Sequence, residues 1–298
     1  MKTLLLTAIL FSLFFCAFAQ EISTPILEEI SENQFSFVQT GELPESINEA
    51  SGLETFNNQV FWTHNDGGIP VLYGIDSSGN LIKTIHLLNK NRGWEDLTKD
   101  ENGNLYIGAF GNNKSDKREL KIYIIPNPDS ITSNRTLAKV IKFSFEDQKS
   151  FPPTSDRKNF DVDAFLYLND SLYLFTKNRT KPYDHIVNVY TLPISSGDYL
   201  AKKVDAFKLE GAMVNNWITG ADISKNKQTI ALLFHNRIIT ITDFKDSKIS
   251  KGRFKEYKFN HYTHKAGIAF TKDNEIMIVD EKEMNLVGGN IYRFNFRQ

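Results

Sequence analysis

The sequence predicts an all-β fold, a β-propeller of five four-stranded blades. Three observations point there. Short apolar runs separated by polar turns recur in groups of four, and the groups open at residues 49, 95, 163, 221 and 266. In every group a polar pair ends the second run 14 to 16 residues after the opening residue, an offset that a β-sandwich with coincidental spacing would not hold. The last group has only three runs, while the alternating stretch 35–43 belongs to no group. That N-terminal stretch is expected to supply the missing fourth strand and close the ring, which removes the sheet edges that invite aggregation.

Taken in order, the chain begins with Lys2, an apolar run over 4–18 and the small-x-small sequence Ala17-Phe18-Ala19, the layout of a secretory signal peptide cleaved after Ala19. The run is about 15 residues, shorter than the ~20 that span a bilayer. The expected product is a secreted or periplasmic chain without a membrane anchor. Cys16 is the only cysteine and lies in this leader, so the mature chain has no thiol for a disulfide, a metal or a nucleophile. Residues 20–34 read as a lead-in, in which 25–32 alone invites a short helix, and 35–298 read as a single propeller domain. The first blade opens at Glu49-Ala50-Ser51 and continues with runs at 60–62, 71–75 and 81–87. The second opens at Glu95-Asp96-Leu97 with runs at 105–107, 120–125 and 140–145, and its long segment 111–160 leaves room for a further small sheet and thus six blades. The third opens at Asp163-Ala164-Phe165 with runs at 172–174, 187–192 and 203–209. The fourth opens at Ala221-Asp222-Ile223 with runs at 230–232, 238–242 and 253–259, and the last at Ala266-Gly267-Ile268 with runs at 276–278 and 290–296.

Composition fits this reading. Hydrophobic residues are 41% and aromatics 12% of the chain, enough to fill a core. Lys and Arg number 35 against 36 Asp and Glu, a net charge of -1 with no basic tract, which argues against a dedicated nucleic-acid or anionic-membrane binder.

The first strand of a propeller blade lines the central channel, so the opening acids should converge. Glu49, Glu95 and Asp163 share one repeat position, and Asp96 and Asp222 share the next. Carboxylates crowded on one axis need a cation, protons or partners. Oxygen ligands without sulfur suit Ca²⁺ best, with structural pairing to neighbouring turns, Lys or Arg as the alternative. Loops after the second strands should surround the mouth with Asn65, Asp66, Asn112, Asn113, Lys177, Asn178, Arg179 and His235, a mixed rim suited to a small anionic ligand. His64, beside Asn65 and Asp66, is the general-base candidate by residue type. Trp94 and Trp217 are expected in inter-blade packing. The chain has no nucleophile elbow, no Gly-rich phosphate loop and no paired-His zinc motif.

The segments Glu49-Ala-Ser-Gly-Leu53, Thr63-His-Asn-Asp66, Trp94-Glu-Asp-Leu97 and Thr219-Gly-Ala-Asp-Ile-Ser224 resemble a group of exported bacterial propellers similar to the SdiA-regulated and phytase-like propeller families, over roughly residues 47–282. The phytase-like branch implies calcium-dependent hydrolysis of phosphate esters, and related propellers imply calcium-dependent lactonases. By this resemblance Glu49, Glu95, Asp163 and Asp222 match acidic channel positions. Two departures remove acids: Gly108-Ala109-Phe110-Gly111-Asn112-Asn113 stands where Gly-Asp-Ile-Gly-Asp-Asn is expected, and Ala266 stands where Glu is expected. The resulting expectation is a monomeric, exported binding module with an acidic channel for a small ligand and, as an option, one Ca²⁺. A calcium-dependent hydrolase and a structural or protein-interaction propeller are the alternatives.

Overall fold

The computed structural model describes residues 22–245, 247–284 and 286–297, so the expected leader lies outside the described residues. The chain begins with β1 (Leu27–Glu29) and β2 (Phe35–Glu42). The first meander follows as β3 (Ala50–Thr55), β4 (Phe61–Asn65), β5 (Val71–Ile75) and β6 (Leu81–Leu87). The second is β7 (Asp96–Lys99), β8 (Asn104–Ala109), β9 (Leu120–Pro126), then a two-residue bridge strand β10 (Arg135–Thr136), then β11 (Lys139–Phe145). The third is β12 (Val162–Leu168), β13 (Ser171–Thr176), β14 (Ile186–Pro193) and β15 (Gly197–Lys208). The fourth is β16 (Gly220–Ile223), β17 (Ile230–Phe234), β18 (Arg237–Thr242) and β19 (Arg253–Lys258), and the last is β20 (Lys265–Lys272), β21 (Glu275–Asp280) and β22 (Asn290–Phe296).

The runs become strands because β-branched and aromatic residues fill them and turn chemistry ends them. Between β12 and β13, for example, Asn169 and Asp170 both adopt positive φ, 48° and 56°, in a two-residue turn that pairs Leu168 with Ser171. The first strands stand side by side around an axis: β3 packs on β7, β7 on β12, β12 on β16, β16 on β20 and β20 on β3. The core is divided accordingly, because each apolar cluster is shared by two neighbouring meanders. Leu53 and Phe61 of the first pack with Met277, Val279 and Ile291 of the last, and Phe175 and Val189 of the third pack with Leu232 and Ile239 of the fourth. Trp62 and Trp94 are both fully buried between the first and second meanders, as expected for Trp94. Burying a large apolar side chain stabilises by roughly 1.5–3 kcal/mol, so these shared clusters hold one meander to the next. The ring is tight at its axis. A Cβ on Gly267 of β20 would lie 2.7 Å from the backbone of Gly52, and a Cβ on Gly52, which has φ +66°, would lie 2.8 Å from Leu97 N of β7.

The sequence expectation for the N-terminus holds. β2 pairs antiparallel with β22 from Phe35↔Phe296 to Glu42↔Asn290, completing the last meander with residues some 250 positions away in sequence. The expectation of a short helix over 25–32 does not hold. Leu27–Glu29 form β1, parallel to β19, and only a 3-10 turn, Glu32–Gln34, follows. The outer edge of β19 presents unpaired backbone groups that β1 satisfies, and Leu27 packs against the neighbouring core. Within 111–160, β9 and β11 belong to the second meander and β10 runs parallel to the edge of β6. β11 and β15 pair in parallel, which joins the second and third meanders at their outer edges into one sheet of eight strands.

Acidic side chains stitch the first strands together. The Asp96 carboxylate is fully buried; one oxygen accepts from its own strand at Leu97 N (2.9 Å), the other from Phe165 N of β12 and Ala221 N of β16 (both 3.1 Å). Asp222 accepts from Ile223 N (2.7 Å) and from Phe270 N of β20 (2.7 Å). Glu54 of β3 takes Lys99 of β7 at 2.6 Å, and Thr98 Oγ1 accepts from Tyr167 N at 3.1 Å. Among the described residues these strands end their sheets, with no hydrogen-bonded neighbour strand toward the axis, so side-chain oxygens satisfy N–H groups that would otherwise be buried without an acceptor.

Candidate functional site

All second strands end, and all first strands begin, at the same end of the channel. A cavity of about 250 Å³ opens there. Asp66 follows β4, Glu95 precedes β7, Asp163 lies in β12, Lys177 and Arg179 follow β13, His235 follows β17, His264 precedes β20 and Glu281 follows β21, and all of them line it. Trp217, on the segment between β15 and β16, forms part of the wall.

Charges in this cavity fall into two groups. The first is paired. Lys177 is bonded to Asp163, and Arg179 Nε donates to the fully buried Asp161 at 2.6 Å while Nη2 donates to Asn113. Both cations lie over the Trp217 ring, Lys177 at 5.2 Å and Arg179 at 4.6 Å from its centroid. Burial works against the Lys177 ammonium, but Asp163 and Asp161 outweigh it and hold its pKa above the usual value. His264 Nδ1 meets Glu281 at 3.0 Å, and that hydrogen bond and charge outweigh burial, so the imidazole titrates above its ordinary range.

The second group is unpaired. Neither the Asp66 nor the Glu95 carboxylate receives a hydrogen bond among the described residues. Burial first, and then the charges of Glu281, Asp163 and Glu49, push Asp66 up to about 6. Burial and then Asp163, Asp66 and Asp161 hold Glu95, a half-buried side chain, well above the usual carboxylate range, with Lys177 opposing. His235 is depressed to about 3 by burial and by the neighbouring His264, Lys177 and Lys265, so it is neutral. Its Nδ1 meets the Tyr262 hydroxyl at 2.6 Å, while its Nε2 is buried without a partner among the described residues.

Asp66, Glu95, Asn113, Asp163, Lys177, Arg179 and His235 thus share one cavity, as the repeat arithmetic implies. The other candidates do not join them. His64 is fully buried edge-on against Trp94, 5.4 Å between ring centroids, and burial depresses it to about 3; it is a core histidine with no access to a ligand, not a general base. Asn65 holds Ser46 O at 2.9 Å, and Asn112 binds Asp161 through its backbone N–H and Phe160 O through its amide. Asn178 holds the 180–186 turn through Thr180, Asp184 and Ile186. Glu49 is exposed on the rim and accepts from Gly67 N at 3.3 Å. Asp96 and Asp222, expected as metal ligands, are committed to backbone N–H groups deeper in the channel.

Sequence reasoning missed Asp161 and His264 as site residues. Both sit two positions before a blade's opening residue, as does the cavity-lining Thr219, so the repeat frame carried the signal. Glu281 appears in the frame only as the second residue of the polar pair that ends the last group's second run, and Trp217 as packing.

The donor set does not fit a resident Ca²⁺. Six to eight oxygens are needed, yet among the described residues no three His, Cys, Asp or Glu side chains converge to hold a metal ion. Asp163 is occupied by Lys177, whose ammonium would repel a metal ion beside it.

No protein-family model matches the chain, and no curated protein matches it, so the resemblance to the SdiA-regulated and phytase-like families has no family match behind it. Solved structures with a similar chain course include a streptogramin B lyase, at 11% identity and TM-score 0.48 over 90% of this chain and 100% of that one. A PQQ-bound aldose sugar dehydrogenase from Streptomyces coelicolor has 9% identity and TM-score 0.48 over 88% and 98% of the two chains. A gluconolactonase from Xanthomonas campestris has 8% identity and TM-score 0.48 over 87% and 89%. These are likenesses of chain course and carry nothing about activity.

Proposed function

We propose that this chain is an exported, monomeric binding module whose channel mouth takes a small polar ligand bearing a cationic group. The observation that carries this reading is the bare pair Asp66 and Glu95. The other acids of the mouth have a cation or an N–H as partner, and among the described residues these two have none. Two half-buried carboxylates without donors are destabilised, and a ligand ammonium or a divalent ion arriving with an anionic ligand would relieve both. An anionic group on the same ligand would meet the edge of the Lys177–Arg179–Trp217 stack and the His235 Nε2.

A hydrolytic reading is favoured by one feature only. Asp66, at about 6, and the protonated-leaning Glu95 are two carboxylates whose environments suit a base and an acid at the same mouth. It predicts turnover of a lactone or phosphate ester that survives EDTA.

The test is thermal unfolding at pH 7.5 with three probes in turn: putrescine, Ca²⁺ with inorganic phosphate, and phosphate alone. A probe present at about 100 times its Kd adds roughly 2.7 kcal/mol, and for a domain of this size the midpoint rises by about 5–10 °C. The expected result is a rise with a cationic probe that Glu95→Gln abolishes. A rise with phosphate alone, or no rise with any probe, overturns the reading.

A further inference from the structure

The sequence shows no basic tract, yet the fold assembles one in space. Along the outside of the second meander two adjoining cavities of about 310 and 270 Å³ share Arg92, Lys121 and Tyr123. Lys90 and Lys142 line the first, and Lys117 and Arg118 the second. Lys90 and Arg92 come from the β6–β7 connection, Lys117 and Arg118 from the β8–β9 connection, and Lys121 and Lys142 from β9 and β11. Six cations therefore line one groove on a protein whose net charge is -1.

Few acids answer them. Glu119 lies 3.2 Å from Lys121 and 3.9 Å from Lys142, and the exposed Asp198 lies 4.0 Å from Lys142. Lys90, Arg92, Lys117 and Arg118 are exposed and make no ion pair among the described residues. Lys117 is anchored on the carbonyls of Gly111 and Arg92, and Arg118 stacks at 4.7 Å over Phe151, so two of the six are held in place before any ligand arrives. Unpaired like charges on one face repel one another and draw counter-ions.

We infer that this groove binds a linear acidic oligosaccharide. Six cations drawn from adjoining cavities, four of them without an ion pair among the described residues, suit a chain carrying one anion per unit. A nucleic acid is disfavoured because single strands bind on exposed aromatic plates, whereas Tyr123, which lines both cavities, is buried with its hydroxyl donating to Lys90 O at 3.0 Å, and Phe151 is already covered by Arg118. A peptide adding as a strand has no edge to use, since β9 is paired on both sides by β8 and β11, and β11 by β9 and β15.

The test is fluorescence anisotropy of the full mature chain with a fluorescein-labelled decameric oligogalacturonate. Neutral maltodextrin of equal length and a single-stranded DNA decamer serve as comparison probes. With roughly four charges neutralised and a slope of about 0.7 per charge, raising salt from 50 to 200 mM should weaken binding on the order of fiftyfold. Lys90→Glu with Arg118→Glu should weaken binding at least tenfold and flatten that slope, with the thermal midpoint unchanged. Lys225→Glu with Lys251→Glu makes the same change in net charge away from the groove and should leave binding intact. Absence of oligogalacturonate binding, equal loss in both variants, or tighter binding of the DNA would each overturn the inference.

Discussion

Replacing Asp96 by Ala tests whether the channel acids are stitches or ligands. Asp96 accepts hydrogen bonds from Leu97 of its own strand and from Phe165 and Ala221 of two others, all fully inside the channel wall. Ala leaves three N–H groups without an acceptor, each costing roughly 1–3 kcal/mol. The carboxylate itself is buried at a cost, shown by a pKa held well above the usual range first by burial, and removing it gives some of that back. The net loss should be about 3 kcal/mol, which for a domain of this size lowers the thermal midpoint by roughly 6–12 °C. Asp96→Asn keeps one acceptor oxygen but turns an NH₂ toward backbone donors, so it should lose about half as much. The assay is urea unfolding in EDTA and again in millimolar Ca²⁺. The stitching role gives the same loss in both. A loss below about 1 kcal/mol, or a defect visible only with Ca²⁺ present, would refute it.

Stability should also carry the signature of Asp66. Its folded pKa of about 6 exceeds the ordinary 3.8, so the native state holds the proton more tightly and stability falls as pH rises from about 4 to 6. Asp66→Asn should therefore be more stable than the parent by about 1–2 kcal/mol at pH 7.5 after discounting for partial exposure, and equal at pH 4; urea midpoints at the two pH values check this, and a larger gain at pH 4 would reverse the assignment. His64→Gln should cost about 2 kcal/mol through lost packing on Trp94 while the response to probes at the channel mouth is unchanged; an intact midpoint with abolished ligand response would restore His64 to the site. Removing residues 20–42 strips β1 and β2, uncovers Tyr257 and Phe294 beneath Phe35, and should abolish cooperative unfolding by near-UV circular dichroism; a truncated chain as stable as its parent would contradict the pairing of β2 with β22.

The architecture was legible because a blade is a local object. Its four runs, their turns and the constant offset to the polar pair all lie within some sixty residues, and the leftover strand at each end implied one partner. Residues 25–32 carry a local preference for a short helix, but their conformation is set by the distant edge of β19, which propensity cannot see. At the site, the repeat frame placed Asp66, Glu95, Asp163 and Lys177 together. It could not say which acids turn into the cavity and which turn onto backbone N–H groups, since Glu95 and Asp96 are adjacent in sequence and alternate across the strand. His64 illustrates the same limit: its repeat position matches His235, but the indole of Trp94 covers one and a cavity opens beside the other. The basic groove was invisible because its six cations come from three separate stretches of chain, 90–92, 117–121 and 142.

The pairing of β2 with β22 has a consequence for how the protein is made. Gln39 and Asn290 are hydrogen-bonded at 2.7 Å across 251 positions of sequence, so β2 leaves the ribosome long before its partner β22 exists. Until β22 has been made, Phe35 and Phe37 have no sheet to join, and the earlier meanders can mature only as an open arc. Such a dependence on remote contacts slows folding relative to a chain of local ones. It also makes the choice of start point arbitrary in the finished molecule. With Arg297 N held on Gln34 O at 2.8 Å, a circular permutant that joins 297 to 34 through a short linker and begins in the exposed loop at Asn260 should close the same ring, with the late step moved to a different pair of strands.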